Sequence, residues 1–307
     1  MDRIGTAVEF FKQQLRRRGA EGESGAPPVT PAPSPASHHT VEAKPTVLHD
    51  SPRTAGVAGT AEPPAYVETA QNRVTGLHRD AAGPIIYTRT RSVEVPLVEL
   101  KERRVLTVLD DGSMAAAYRT LSAHVLRQMS EKQWNVLGVT SPGRGEGKTL
   151  TAVNLAISLA MESQFTVLLI DGDLAHPGVQ DLLGLGTGGG LSDYLLRDAS
   201  IEDLLVYPGI RRLTVLPAGQ RLINPAELLG SEKMRLLAAD LKQRYPSRMI
   251  IYDLACLHHA ADVLSMSSCL DALLMVVEAG RTKVDEVENA ARLLQGVPLI
   301  GTLLNKG

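Results

Sequence analysis

The hydrophobic residues in the second half of the chain form short continuous runs, separated by stretches with helical periodicity. Runs that do not alternate with polar residues are typical of parallel strands that helices cover on both faces. From residue 113 onward, the pattern therefore predicts an α/β domain with a mostly parallel sheet and helices on both faces. The predicted strands are residues 136–140, 166–170, 212–217, 249–252, 272–277 and 299–304, and the predicted helices are residues 113–130, 150–161, 231–244 and 284–294.

The beginning of the chain has a different pattern. Residues 1–18 are expected to form an amphipathic helix, with Ile4, Val8, Phe11 and Leu15 on one stripe and basic residues near its end. Two interpretations stay open. The helix either docks on a partner or an anionic membrane surface, or it is a solvated helix whose basic end suits the helix dipole.

The composition then shifts towards small and turn-forming residues. Residues 19–83 hold about half of the chain's 18 prolines. Such a segment cannot bury enough apolar surface to offset the entropy that it would lose on ordering, so we predict a disordered linker. Residues 84–112 form a lead-in, where residues 85–87 and 93–100 indicate short extended pieces that lie on the domain surface. The folded domain is expected to span residues 113–307.

One polar stretch, residues 141–149 (SPGRGEGKT), lies between a predicted strand and a predicted helix. We interpret it as a phosphate-binding loop of the P-loop NTPase type, although Pro142 stands where the general template has glycine. Glycines let backbone N–H groups turn towards an anion, Lys148 offers a charge to the β- and γ-phosphates, and Thr149 offers a hydroxyl to Mg²⁺. The alternative is a chance Gly-Lys-Thr in a flexible loop, which the flanking strand and helix disfavour. The candidate nucleotide-binding residues here are Gly143, Arg144, Gly145, Glu146, Gly147, Lys148, Thr149 and Leu150.

Polar residues follow several of the other predicted strands. Asp171 and Asp173 come after the second strand, Asp253 after the fourth, and Asn305 after the last. In an open parallel sheet, ligands bind beyond the carboxyl ends of the strands. Each acid alone is better explained as a helix cap or a surface charge. As a set beside a phosphate loop, they predict a Mg²⁺-nucleotide site.

Composition narrows the function class. A net charge of −2 in 307 residues gives no electrostatic case for nucleic-acid binding. Cys256 and Cys269 lie in apolar surroundings without metal-ligand spacing, which favours a reducing cytoplasm. No apolar run reaches the roughly 20 residues of a membrane span, and charges interrupt residues 2–18, unlike a secretory signal. We therefore expect a cytoplasmic protein whose membrane link, if it has one, is a surface helix or a partner at the inner face.

The segments SPGRGEGKTLTAVNLAISLA, VLLIDGDLAHP, MIIYDLA and LIGTLLNKG together resemble the bacterial tyrosine kinase family. These deviant P-loop ATPases regulate capsule and exopolysaccharide polymerisation and export, and Pro142 is usual among them. The resemblance covers about residues 113–307. The N-terminal helix and Pro-rich tether look like the autokinase-type protein of exosortase-linked loci. The resemblance implies ATP and Mg²⁺ as cofactors, a membrane-embedded chain-length (polysaccharide co-polymerase) or export protein as partner, and a homo-oligomer as one assembly state.

The resemblance also implies residue roles. Lys148 and Thr149 match the first phosphate motif, Asp171 and Asp173 the second, and Asp253 the acid after the third motif strand. It implies that an acid of this group orients or deprotonates a tyrosine hydroxyl, and that Asn305 contacts adenine. The implied catalytic residues are Lys148, Asp171, Asp173 and Asp253, and the implied Mg²⁺ ligands are Thr149, Asp171 and Asp253.

Several positions depart from the family pattern. Ala175 stands where the family has arginine, and residues 254–256 (LAC) replace Thr-Pro-Pro. A helical Glu-x-x-Arg-x-x-Arg motif that is associated with ring assembly falls on Ala116, Arg119 and Ser122. His176 is a candidate for partly replacing the arginine. His258 and His259 follow a strand and could approach the γ-phosphate, but a solvated pair in a loop explains them better.

These departures leave three functions open. The first is a tyrosine autokinase, for which the tyrosine-rich tail of the family is missing and Tyr66 and Tyr87 are the accessible candidates. The second is a nucleotide-dependent switch or adaptor with little phosphotransfer. The third, a partition-type positioning ATPase, is disfavoured because Gly143 stands where that group carries lysine.

Overall fold

The computed structural model describes residues 90–106, 110, 112–162, 165–244 and 248–306. The helix predicted within residues 1–18 and the linker predicted at residues 19–83 lie outside the described residues, as do Tyr66 and Tyr87.

The described residues form one eight-stranded sheet with the strand order β1-β4-β5-β3-β6-β2-β7-β8. Neighbouring strands are parallel except for β4 and β5, which are antiparallel. The strands are β1 (Arg91–Ser92), β2 (Val136–Thr140), β3 (Thr166–Asp171), β4 (Val206–Tyr207), β5 (Leu213–Leu216), β6 (Arg248–Asp253), β7 (Ala272–Glu278) and β8 (Leu299–Asn305).

Helices lie along the chain between these strands. They are α1 (Leu97–Glu102), α2 (Ser113–Glu131), α3 (Lys148–Glu162), α4 (Val179–Leu182), α5 (Leu191–Arg197), α6 (Ile201–Leu204), α7 (Ala226–Leu229), α8 (Glu232–Arg244), α9 (Ala260–Ser265) and α10 (Val284–Leu293). Two short 3₁₀ turns cover Leu257–His259 and Ser267–Cys269.

The central strands are buried on both faces, as their continuous apolar runs predict. Successive side chains of a strand point to opposite faces, so Leu169 and Leu168 belong to two different cores. Helices α2 and α3 cover the first core, and α8 and α10 contribute to the second. The prediction of a mostly parallel sheet with helices on both faces is therefore confirmed.

The lead-in differs from its prediction. Residues 93–100 were expected to be extended, but α1 occupies Leu97–Glu102. Pro96 precedes the first turn, Leu100 is buried, and Arg103 bonds Glu99 at 3.0 Å one turn earlier. These local interactions stabilise a short helix that the run of β-branched residues had hidden. The described lead-in also adds β1 to the sheet, parallel to β4.

The strand order places the functional loops. Strand β2 lies between β6 and β7, so the loop after β2 has the carboxyl ends of β6 and β3 on one side and those of β7 and β8 on the other. All six strands from β5 to β8 in that order run in the same direction. Their carboxyl ends therefore form one edge, which is where ligands bind in such sheets.

The opposite edge carries a cavity of about 770 Å³ at the amino ends of the central strands, lined by Trp134, Phe165, Lys242 and Asp271 among others. None of the predicted site residues lines it. Among the described residues, no helix combines the length and the apolar character that crossing a membrane requires.

Candidate nucleotide site

The loop after β2 has the backbone of a phosphate-binding loop. Gly145 and Gly147 adopt φ of 77° and 93°, a region that favours glycine. A Cβ on Gly147 would lie 2.1 Å from Asn305 Nδ2, which is closer than any real contact. Helix α3 begins at Lys148 directly after the loop, so its N-terminal N–H groups face the same space.

Lys148 is the centre of the site. Its Nζ lies 2.9 Å from Asp173 Oδ2, 3.4 Å from Asp253 Oδ1 and 3.2 Å from Thr149 Oγ1. Burial opposes the charge of the ammonium group, but the carboxylates of Asp253 and Asp173 outweigh burial and raise the pKa of Lys148. Lys148 is therefore a fixed positive charge beside the loop.

Asp171 holds the backbone that follows β3. One carboxylate oxygen accepts hydrogen bonds from the N–H groups of Gly178 and Val179, both at 3.0 Å, and the other accepts from Asp173 N–H at 3.3 Å. Burial and the nearby charge of Asp253 raise the pKa of Asp171 to about 7. Asp171 thus ties the loop of residues 172–178 to the end of the strand.

Asp253 has a carboxylate oxygen that remains available for a ligand. It is fully buried, and its Oδ2 has no hydrogen-bond partner within the part of the chain that the structure describes. Burial raises its pKa above the usual range. A carboxylate oxygen that no neighbouring donor occupies remains able to coordinate a cation.

The charges of the site fit a divalent cation. When Asp171, Asp173 and Asp253 are all ionised, three negative charges face the single positive charge of Lys148, which leaves −2. Carboxylate and hydroxyl oxygens are the ligands that Mg²⁺ prefers. The unpartnered oxygen of Asp253 and the hydroxyl of Thr149 therefore fit a bound Mg²⁺.

Glu146 was expected to bind the nucleotide, but its side chain points elsewhere. Its Oε1 accepts a 2.6 Å hydrogen bond from the Thr282 hydroxyl, which in turn accepts one from Glu278 N–H at 2.9 Å. Glu146 is 5% exposed, so this carboxylate anchors the phosphate loop to the turn after β7. Only the backbone of Glu146 can take part in an anion cradle.

Asn305 and Lys306 hold the loop from the side of β8, and the sequence pattern did not single out Lys306. Asn305 Nδ2 donates to the carbonyl of Glu146 at 2.9 Å. Lys306 Nζ donates to the carbonyl of Gly145 at 2.7 Å and lies 3.1 Å from Glu278. Lys306 follows Asn305 at the end of β8, and only this strand-end position marks it in the sequence.

The remaining candidates divide between loop and core. The carbonyl of Gly143 accepts a 2.7 Å hydrogen bond from the Ser141 hydroxyl, and Arg144 is exposed at the tip. Leu150, by contrast, is half-buried and packs against the core beneath α3. The structure therefore brings Lys148, Thr149 and the three acids to one point, while Leu150 faces the core.

Two histidines join the edge of the site. His258 is exposed as expected, but the description of a solvated pair is wrong for His259, which is half-buried and contacts Arg144 through Nε2. The rings of His259 and His176 lie 5.3 Å apart between centroids. Burial and the charge of Arg144 lower the pKa of His176, whose Nδ1 lies 3.8 Å from Asp173 Oδ1. Tertiary contact brings these residues together, so no spacing in the sequence reveals them.

Comparison with known proteins assigns this geometry to a family. Tyrosine-protein kinase YwqD of Bacillus subtilis is 31% identical over 207 residues, which cover 66% of this chain and 86% of that protein. The chain belongs to the bacterial tyrosine-protein kinases. No protein-family model matches it.

Two further matches agree with this family. The kinase domain of Escherichia coli tyrosine kinase ETK superposes with a TM-score of 0.61 and 26% identity, covering 72% of this chain and 84% of that domain. The succinoglycan biosynthesis transport protein ExoP of Rhizobium meliloti is 28% identical over 211 residues, 66% of this chain but 26% of that protein. The predicted resemblance to bacterial tyrosine kinases is confirmed.

The Glu146 anchor makes a first prediction. Thr282→Val keeps the shape of the side chain but removes the donor to Glu146, whose Oε2 already has no partner among the described residues. Leaving a buried carboxylate unpaired costs about 1–3 kcal/mol, which corresponds to a Tm lower by roughly 2–12 °C for a domain of this size. We expect weaker Mg²⁺–ATP binding as well, because the loop loses its anchor. Differential scanning fluorimetry and titration calorimetry measure the two effects.

Thr120→Val is the matched control, because Thr120 lies on an exposed turn of α2 and bonds only the carbonyl of Ala116 in its own helix among the contacts described. It should change neither quantity. Equal Tm and equal affinity for Thr282→Val and the wild type would contradict the anchoring role.

Proposed function

We propose that this protein binds ATP with Mg²⁺, transfers the γ-phosphoryl group to a tyrosine hydroxyl, and thereby regulates the polymerisation and export of an exopolysaccharide. The observation that carries the proposal is the position of Lys148, within 3.4 Å of Asp173 and Asp253 at the mouth of a glycine loop. Kinase family membership supports the reaction type, and the name of ExoP supports the polysaccharide context.

Different residues have different roles in phosphoryl transfer. The backbone N–H groups of residues 143–147 and the ammonium group of Lys148 would hold the phosphates, while Thr149, Asp171 and Asp253 would hold Mg²⁺. Bound Mg²⁺ supplies neutralisation of phosphate charge. Asp173 orients the tyrosine hydroxyl and accepts its proton as the new O–P bond forms and the bond to ADP breaks. Catalysis of this kind is positioning and electrostatic stabilisation.

The setting of the reaction is a further part of the proposal. We infer a membrane-embedded chain-length or export protein as the partner, which would keep this protein at the inner face of the membrane. The amphipathic pattern of residues 1–18 offers a docking element, and a homo-oligomer is compatible with phosphorylation between copies.

A nucleotide-dependent switch is the second candidate, and specific observations favour it. Ala175 is buried and supplies no cation. The described tyrosines are half-buried or buried, and Tyr252 is fully enclosed. Asp171 couples the loop of residues 172–178 to the site, so nucleotide occupancy could bias that loop without phosphotransfer.

Mapping of phosphotyrosine by mass spectrometry separates the two candidates. The protein is isolated from its native host, so that a membrane partner is present, beside Lys148→Ala and the control Lys242→Ala, which changes a lysine at the opposite edge of the sheet. Phosphotyrosine in the wild type and the control, but not in Lys148→Ala, is the result expected for an autokinase. Mg²⁺–ATP binding without phosphotyrosine in any sample would replace the kinase by the switch.

A further inference from the structure

Five side chains form a series of contacts at the mouth of the phosphate loop. Lys148 Nζ lies 2.9 Å from Asp173 Oδ2, and Asp173 Oδ1 lies 3.8 Å from His176 Nδ1. The rings of His176 and His259 are 5.3 Å apart, and His259 Nε2 contacts Arg144 Nη2. Arg144 and Lys148 belong to the same loop, so the series begins and ends in the phosphate loop. It therefore lies beside the anion cradle.

We propose that Arg144, His176 and His259, which we call the rim, bind the γ-phosphate of a nucleoside triphosphate and make the site prefer ATP to ADP. This inference rests on the proposed function, since it assigns a second set of ligands to the same nucleotide. The side chains of these three residues are additional to Lys148 and to the backbone N–H groups of the loop, which hold the phosphates in the proposed function.

The strand order places the rim on one side of the loop. His176 follows β3 and His259 follows β6, and both strands lie on the same side of β2. Asn305 and Lys306 end β8 on the other side, where they contact the carbonyls of Glu146 and Gly145. A nucleotide with its base on the β8 side would direct its last phosphate towards β3 and β6, and so towards the rim.

The donors of the rim suit phosphate oxygens. A guanidinium group can only donate hydrogen bonds, so His259 Nε2 must accept the one from Arg144. In the neutral ring, Nδ1 then carries the proton and can donate it to an anion. Arg144 has five N–H donors in total and is exposed at the loop tip.

Charge near the rim also favours an anion. Arg221 is a further cation whose charge acts on His176. The carboxylate of Asp262 also acts on both histidines and opposes an anion, so the favourable charge comes from Arg144 and Arg221. Guanidinium groups that face a phosphate in fixed geometry are the usual means of recognising it.

The test compares two ligands in each variant. Dissociation constants for the Mg²⁺ complexes of ADP and of the β,γ-imido analogue of ATP are measured by titration calorimetry for Arg144→Ala, His259→Ala and His176→Ala. Loss of a charged hydrogen bond weakens binding about tenfold or more. We expect that loss for the ATP analogue in Arg144→Ala and His259→Ala, a smaller loss in His176→Ala, and a change below about twofold for ADP. Arg197→Ala, an exposed arginine on α5 that pairs with Asp193, is the control and should alter neither.

Each outcome decides something. Because Arg144 and His259 touch, the double variant should lose less than the product of the single losses. Equal losses of affinity for both nucleotides, or no loss for either, would contradict the role of the rim in binding the γ-phosphate. Neither result would contradict the proposed function. A wild-type protein that binds neither nucleotide would remove the proposed function and the rim together.

Discussion

Lys148→Ala is expected to weaken Mg²⁺–ATP binding by about 100-fold or more. Lys148 Nζ is 13% exposed and lies at hydrogen-bonding distance from two carboxylates, which already hold it where the β- and γ-phosphates would bind. The variant loses this charge in a site where low polarity strengthens every charge interaction. It also leaves three acids without a cation, so a polyanionic ligand would enter a negative site. Titration calorimetry with the β,γ-imido analogue of ATP measures the loss.

Lys242→Ala serves as the matched control, because Lys242 pairs with Asp271 at the opposite edge of the sheet. It removes a lysine and breaks an ion pair without touching the phosphate loop. Unchanged affinity in Lys148→Ala would eliminate the interpretation of residues 141–149 as a phosphate-binding loop. An equal loss in both variants would point to general destabilisation.

The sequence predicts the fold and the centre of the site for one physical reason. Parallel strands buried on both faces must be apolar throughout, so their ends are marked by the first polar residue. Asp171 and Asp253 are such residues, and the parallel strands bring them to one edge with Asn305, the last residue of β8. The strand β4, with two residues, is too short to show any period, and its pairing depends on contacts distant in sequence.

The supporting contacts of the site could not be predicted in the same way. Thr282 is a single threonine in a turn, and its bond to Glu146 spans 136 positions. His259 meets Arg144 across 115 positions. Each contact depends on the tertiary placement of a loop, for which an isolated residue gives no periodic signal. The sequence selects Glu146 by its position in the loop, and only its neighbours in space show that its carboxylate accepts a hydrogen bond from Thr282.

Asp253→Asn is expected to raise the Tm of the ligand-free protein by a few degrees at pH 8 and to abolish Mg²⁺-dependent nucleotide binding. Asn retains an oxygen that can accept from Lys148, and Lys148 keeps Asp173 at 2.9 Å. The variant removes a buried negative charge that faces Asp171 and Asp173, and Lys148 offsets this repulsion only in part when no metal is bound. A gain of about 1–2 kcal/mol corresponds to roughly 2–8 °C for a domain of this size. Binding sites commonly trade stability for function in this way.

The effect of Asp253→Asn on the Tm should depend on pH, and the raised pKa of Asp171 gives the direction of this dependence. Burial and Asp253 raise the pKa of Asp171 from its ordinary value of 3.8 to about 7, so between these pH values the folded state holds a proton that the unfolded chain has lost. The stability that this proton contributes is complete below pH 3.8 and is lost as the pH rises through about 7. In Asp253→Asn the pKa of Asp171 falls, because the neighbouring negative charge is gone. The difference in Tm between the variant and the wild type should therefore grow from pH 5 to pH 8 when Tm is measured without Mg²⁺.

Asp271→Asn is the control. It removes a carboxylate that bonds Lys242 at the opposite edge of the sheet, so it should lower the Tm and leave nucleotide binding intact. A variant Tm at or below the wild-type value at pH 8 would mean that Asp253 is compensated in the ligand-free protein, and that its free oxygen does not mark a metal site.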